Sequence, residues 1–373
     1  YALLPGAYRV ELGGNVPGPN PSAVALPAGS YNASGYLGIA NTEIRDALPT
    51  AITLTPGDVV RTHSQYNETS YADFAIANAA LFGALRPRLE RDAQSIQLEF
   101  GAAKDGVLDF QGVSDMAGAD GGASGNLFVK GPLDIEIKSE GDAASDGFVS
   151  LDAQDINAFD AGTVTIGGIF SLLTQATGDN RTLGPRIAFN SSGHDVVVRD
   201  GAELNAGQIF MTGNHLTVES GAVLDTTGGR TDGISSSLGY VFSDTYNDAV
   251  AQGGAILTVA NGFIDFTAPS RAVDGVPTSI TVEDGAALRT LGTIGFTTRG
   301  AVEVGDAELG ARYLSLFVPQ VNIGTGASFA AAEAAGILGD GVRLSQGVLE
   351  RLVNPTRPGL TPIERVNLTV GES

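Results

Sequence analysis

The feature that most constrains this chain is a short phrase that recurs: an apolar residue, two mostly polar ones, then glycine. Clear copies are Val198-Arg-Asp-Gly201-Ala-Glu-Leu204, Val218-Glu-Ser-Gly221-Ala-Val-Leu224, Val282-Glu-Asp-Gly285-Ala-Ala-Leu288 and Ile323-Gly-Thr-Gly326-Ala-Ser-Phe329. Looser copies are Val259-Ala-Asn-Gly262-Phe-Ile-Asp265 and Leu54-Thr-Pro-Gly57-Asp-Val-Val60. From Gly201 onward the motif glycines are 20, 41, 23 and 41 residues apart, one or two multiples of roughly 20. A strand, a tight turn and a second strand fill such a repeat, and strands stacked at about 4.8 Å make it one coil of a parallel β-helix. In Leu216-Thr217-Val218 the two apolar residues share a face, and the glycine that follows supplies the positive φ of a sharp corner. A β-sandwich also uses strands at 8 to 12 residue spacing, but it has no reason to reuse one corner phrase. The pattern therefore predicts an all-β fold: a right-handed parallel β-helix with coils of about 20 residues, loop insertions and one short helix.

Departures from the repeat set the expected organisation. Residues 1–60 hold seven of the 16 prolines and read as an extended segment with sparse strands. Residues 61–95 read as an excursion with a short helix, because Tyr71–Leu85 has helical spacing at Phe74, Ala77, Leu81 and Leu85 before Arg86-Pro87. The β-helix is expected over 96–349, with a loop insertion at 227–252 that carries Tyr240, Phe242 and Tyr246, and an extended segment over 350–373. Asp115–Asn126 reads as a glycine-rich loop.

Composition narrows the function classes. The 42 acidic residues face 18 arginines and three lysines, and the formal net charge of −21 repels phosphate backbones, which argues against nucleic acid as a partner. No apolar run is long enough for a transmembrane helix. The absence of cysteine excludes a disulfide-stapled scaffold and favours export of a chain that stays unfolded while it crosses the periplasm. The chain opens at Tyr1 with neither an initiator Met nor a signal peptide, and it is read as an internal fragment.

Three stretches resemble phrases of the filamentous haemagglutinin family of large bacterial exoproteins. They are Tyr1-Ala-Leu-Leu-Pro-Gly-Ala-Tyr8, Leu151 to Gly168, and Val348-Leu-Glu-Arg-Leu-Val-Asn354 with Val366-Asn-Leu-Thr-Val370. The resemblance implies an adhesin on the cell surface of a Gram-negative bacterium, exported by two-partner secretion through an outer-membrane partner of β-barrel type. It also implies a rigid β-helical rod for attachment, aggregation or contact-dependent interaction with a host or neighbouring cell, or with itself. These motifs are structural phrases and carry no chemistry.

A catalytic alternative is a polysaccharide lyase or hydrolase on the same scaffold, which needs two close carboxylates. Asp152, Asp155 and Asp160 fall close together, as do Asp105 and Asp109. So acidic a chain produces such clusters by chance, and no catalytic residue is assigned. Another alternative is a self-assembling extracellular filament or matrix subunit, since free strand edges would pair with a further chain. The histidines are His63, His194 and His215; the last two are 21 residues apart but one residue out of register against their glycines, so no metal ligand is assigned. Gly118–Asn126 is similar to one calcium-binding nonapeptide but is unrepeated and reads as a loop; no cofactor is expected, with calcium on surface carboxylates of so acidic a chain left open. No Walker loop, nucleophile elbow or zinc-protease motif is present, and the chain is expected not to be an enzyme.

Overall fold

A computed structural model of the chain describes residues 6–19, 22–62, 69–83, 87–101, 108–172, 186–232, 238–242, 254–266, 277–339, 341–355 and 359–370. The chain divides into two compact units, Tyr1–Tyr71 and Ala72–Ser373. The first holds β1 (Tyr8–Asn15), β2 (Val24–Ala25), β3 (Tyr31–Gly35), β4 (Thr50–Pro56) and α1 (Gly57–Thr62). Its strands form an antiparallel sheet in the order β1-β4-β3-β2, with Tyr8 opposite Pro56 and Tyr31 opposite Leu54.

After α2 (Tyr71–Phe82) the second unit begins with β5 (Ser95–Glu99), β6 (Asn126–Lys130), β7 (Asp134–Lys138), β8 (Phe148–Asp152) and α3 (Ala153–Asn157). Next come β9 (Thr163–Ile166), β10 (Gly168–Leu172), β11 (Arg186–Ser191), β12 (Val196–Val198), β13 (Glu203–Asn205) and β14 (Gln208–Gly213). Then follow β15 (His215–Val218), β16 (Val223–Asp225), β17 (Leu238–Phe242), β18 (Ala255–Ala260), β19 (Ile264–Phe266), β20 (Ser279–Val282) and β21 (Ala287–Arg289). The last elements are β22 (Thr293–Thr297), β23 (Ala301–Val304), β24 (Glu308–Gly310), β25 (Tyr313–Val318), β26 (Val321–Gly324), α4 (Gly326–Ala334), β27 (Val342–Ser345), α5 (Gln346–Val353) and β28 (Arg365–Val370). Among the described residues no helix is long and apolar enough to cross a membrane.

Among the described residues four sheets build this unit. One runs β26-β27-β23-β20-β15-β12-β7-β8 and another β13-β16-β21-β24, both parallel throughout. A third runs β28-β25-β22-β18-β14-β9-β6-β5 and is parallel except at β18, which lies antiparallel to both β14 and β22. The fourth, β10-β11-β17-β19, pairs its first two strands antiparallel.

These sheets overturn the expected architecture. The described residues form five sheets that mix parallel and antiparallel pairing, together with five helices, and not one all-β right-handed parallel β-helix with a single short helix. The repeated phrase explains the error. Of the glycines in that phrase, only Gly201, Gly221 and Gly285 turn with positive φ, at 73°, 76° and 82°. Gly57 and Gly326 open α1 and α4, while Gly262 follows the antiparallel β18. An apolar-polar-polar-glycine phrase serves a helix start as well as a strand corner. At Thr325 the hydroxyl accepts from the Ser328 amide and the Ser328 hydroxyl accepts from the Thr325 amide, a capping box that directs the chain into α4.

Where the ladders are in register, apolar side chains stack in columns. One column of the β5–β28 sheet is Leu98, Val129, Ile166, Met211, Leu257, Phe296, Leu316 and Leu368. In the β13–β24 sheet Leu204, Leu224, Leu288 and Leu309 do the same. Up to Leu316 and Leu309 these columns meet in the main core, while Leu368 is exposed. The β5–β28 sheet is also buried on its other face, where Phe189, Phe210, Ile256, Phe266 and Phe317 form a second cluster beneath the β10–β19 sheet. Burial on both faces explains why β14 and β18 lack the polar-apolar alternation of a half-exposed strand.

The helix expected at Tyr71–Leu85 is present as α2, but with a different face inward. Ala75 and Ala79 are buried, and Phe74 and Leu81 are 55% and 77% exposed. Small side chains permit close backbone approach, which the spacing of large apolar residues does not reveal. Leu85 lies outside the described residues.

Candidate functional site

Two clefts open beside the ladders. The first, of about 530 Å³, is lined by Asp109, Phe110, Glu140, Asp152 and Asp155 among others. Asp152 ends β8, and the turn into α3 places Asp155 one helical step beyond it. Lys138, its neighbour across the parallel β7–β8 pair, makes an ion pair with Asp152. Phe110 stacks on Phe159 with ring centroids 4.2 Å apart, which brings Asp109 to the same wall. Burial raises the Asp155 carboxyl above its ordinary range; the Phe110 amide lowers it, and repulsion from Asp152, Asp109 and Glu140 raises it further.

The structure thus brings together Asp109, Asp152 and Asp155 from the carboxylates singled out in the sequence and adds Glu140, which nothing in the sequence marked. Asp160 goes elsewhere and accepts from Arg230 Nε at 2.8 Å. Asp105 and His63 lie outside the described residues. Among the described residues no group of three or more histidine or acidic side chains is arranged to hold a metal ion.

The second cleft, of about 400 Å³, lies at the ends of β5, β6 and β11 and includes Lys130 and His194. Lys130 Nζ is 3.3 Å from Glu99, and His194 Nδ1 is 3.8 Å from Asp134. His215 is not brought to His194: the β12–β15 register sets Val196 against Leu216, and the His215 amide donates to Asp195 at 3.1 Å. Its ring Nδ1 meets Ser279 Oγ at 2.8 Å.

The expected loop at 227–252 contains a strand. Tyr240 and Phe242 belong to β17, which pairs in parallel with β11 and β19, while Tyr246 lies outside the described residues. Backbone pairing, not side-chain pattern, recruits this Gly- and Ser-rich stretch. The glycine-rich segment at 115–126 is packed. A Cβ at Gly122 would come within 2.0 Å of the Arg91 carbonyl oxygen, and one at Gly125 within 2.6 Å of that of Gln94. Glycine is needed here for close approach, so the likeness to a calcium loop has a structural explanation.

One polar network had no sequence signal. Glu136, its side chain 1% exposed, accepts from Arg199 Nε at 2.8 Å, from the Ser145 amide at 2.6 Å and from Ser150 Oγ at 2.5 Å; Arg199 also reaches Glu219 at 2.7 Å. Burial alone would raise the Glu136 carboxyl, but these hydrogen bonds outweigh it and hold it below its ordinary value. Comparison with protein-family models, with curated proteins and with solved structures finds no match to this chain.

Proposed function

We propose that this chain is a structural, adhesive surface exoprotein segment that works by association with a further strand-bearing surface. The observation that carries this reading is the end of the β5–β28 sheet. Val366, Leu368 and Val370 continue the columns of Leu314, Leu316 and Val318, which are 1%, 2% and 0% exposed, yet they are themselves 53%, 51% and 56% exposed. Among the described residues β28 pairs only with β25, which leaves its other edge free of them. An apolar row beside an unpaired strand edge is a template for another chain. Beads coated with the chain should cluster, and beads carrying Leu368→Lys should stay dispersed. Equal clustering by both would remove the reading.

The acidic cleft supports a second reading, hydrolysis of a polysaccharide. A carboxyl raised by burial and by three neighbouring carboxylates can hold a proton for a leaving oxygen, while one of those neighbours serves as its ionised counterpart. Release of reducing ends from neutral and acidic polysaccharides, abolished by Asp155→Asn, is the expected result of this reading. No release from any polymer would exclude it for those substrates.

A further inference from the structure

We propose that the cleft at the ends of β5, β6 and β11 binds a neutral saccharide unit. Its volume of about 400 Å³ falls within the roughly 300–1,000 Å³ typical of small-molecule sites. Its lining is mixed: the apolar Phe100, Pro132 and Ile169 stand beside the polar Glu99, Lys130, Asn190 and His194, and apolar side chains suit the C–H side of a sugar.

The polar lining favours hydroxyl groups over an anion. Lys130 already faces Glu99 at 3.3 Å, and the Asp134 carboxylate lies 3.8 Å from His194, so an incoming anion would meet carboxylates already in place inside a chain of net charge −21. What this lining presents is a mixture: ammonium and amide N–H donors beside carboxylate and amide oxygen acceptors. A hydroxyl both donates and accepts, and a ring bearing several suits such a mixture.

The walls are held in place before any ligand arrives. Gly167 turns the chain out of β9 with φ 86°, where a Cβ would lie 1.9 Å from the Thr212 carbonyl oxygen. The next residues enter the antiparallel β10–β11 pair, in which Ile169 lies opposite Asn190. Ser192 Oγ donates to the Gly167 carbonyl at 2.7 Å, and Ser191 Oγ accepts from the Gly193 amide at 3.1 Å. Ile169, Asn190 and Ser192 are thereby fixed to the same turn, and a fixed site loses less entropy on binding. The proposal is independent of association at β28, which lies at the opposite edge of its sheet from β5.

Saturation-transfer-difference NMR on the full chain, with methyl glucoside, methyl galactoside, N-acetylglucosamine and glucuronate as probes, tests the site. At least one neutral sugar should receive saturation, and glucuronate should receive none. Asn190→Ala should weaken that sugar by about tenfold, the effect of losing one or two hydrogen bonds. Glu99→Gln, at an exposed position, should weaken it by about fivefold and supplies the readout if Asn190→Ala folds poorly. Glu333→Gln, on α4 and in the lining of neither cleft, should leave binding unchanged. The proposal is overturned if no neutral sugar binds, if glucuronate binds best, or if Asn190→Ala and Glu99→Gln both keep wild-type affinity.

Discussion

Gly221 has φ 76°, and a Cβ there would approach Asp200 Oδ1 to 2.2 Å. Gly221→Ala should therefore cost about 1–2 kcal/mol in denaturant unfolding, whereas Gly326→Ala, at the first position of α4 with open space around it, should change stability by no more than about 0.5 kcal/mol. The two glycines sit in the same phrase, and what separates them was legible within two residues: Thr325 and Ser328 form a cap, while Ser220 is followed by Gly-Ala and the strand that opens at Val223. Two carboxyls respond to pH in opposite senses. Glu136 is lowered in the fold, so the stability it supplies is complete above the ordinary glutamate range and disappears as pH falls through the lowered value. Asp155 is raised, so its ionisation opposes folding as pH rises through that value. Asp155→Asn should raise the melting temperature near pH 7 and lose that advantage in acid. Glu136→Gln should lower stability at pH 7 by about 1.5–3 kcal/mol, the range for hydrogen bonds to a charged group, and the deficit should shrink toward low pH.

At the scale of elements, Leu216-Thr217-Val218 shows its buried face through simple alternation, and β15 forms there. The direction of β18 was not legible. Ala255–Ala260 is buried on both faces, and an apolar run of this kind pairs equally well in either sense; its partners on both sides decide. The cover over the β5–β28 sheet was hidden for the same reason, because Phe210 and Phe317 read as core residues without revealing that there are two cores. Phe210→Ala should cost about 3–5 kcal/mol by thermal or urea unfolding. In the acidic cleft, Asp152 and Asp155 were legible as near neighbours in sequence. Asp109 and Glu140 arrive from separate segments, which only the strand pairing and the Phe110–Phe159 stack bring together.

For the whole molecule, the apolar row on β28 works against a net charge of −21. Two copies repel at long range and attract only where Val366, Leu368 and Val370 are covered. Association should therefore strengthen with added salt, which shortens the screening length to about 8 Å at physiological ionic strength. Under the proposed association, the acidity that argued against nucleic acid in the sequence becomes a condition on assembly. Sedimentation velocity over a range of protein concentrations in physiological salt tests this most directly. Wild type should shift to larger species as concentration rises, Leu368→Lys should remain a single small species, and Leu291→Lys, at another exposed leucine, should behave as wild type. A wild-type chain that stays monomeric at every concentration, or a Leu368→Lys chain that assembles equally well, would contradict the account.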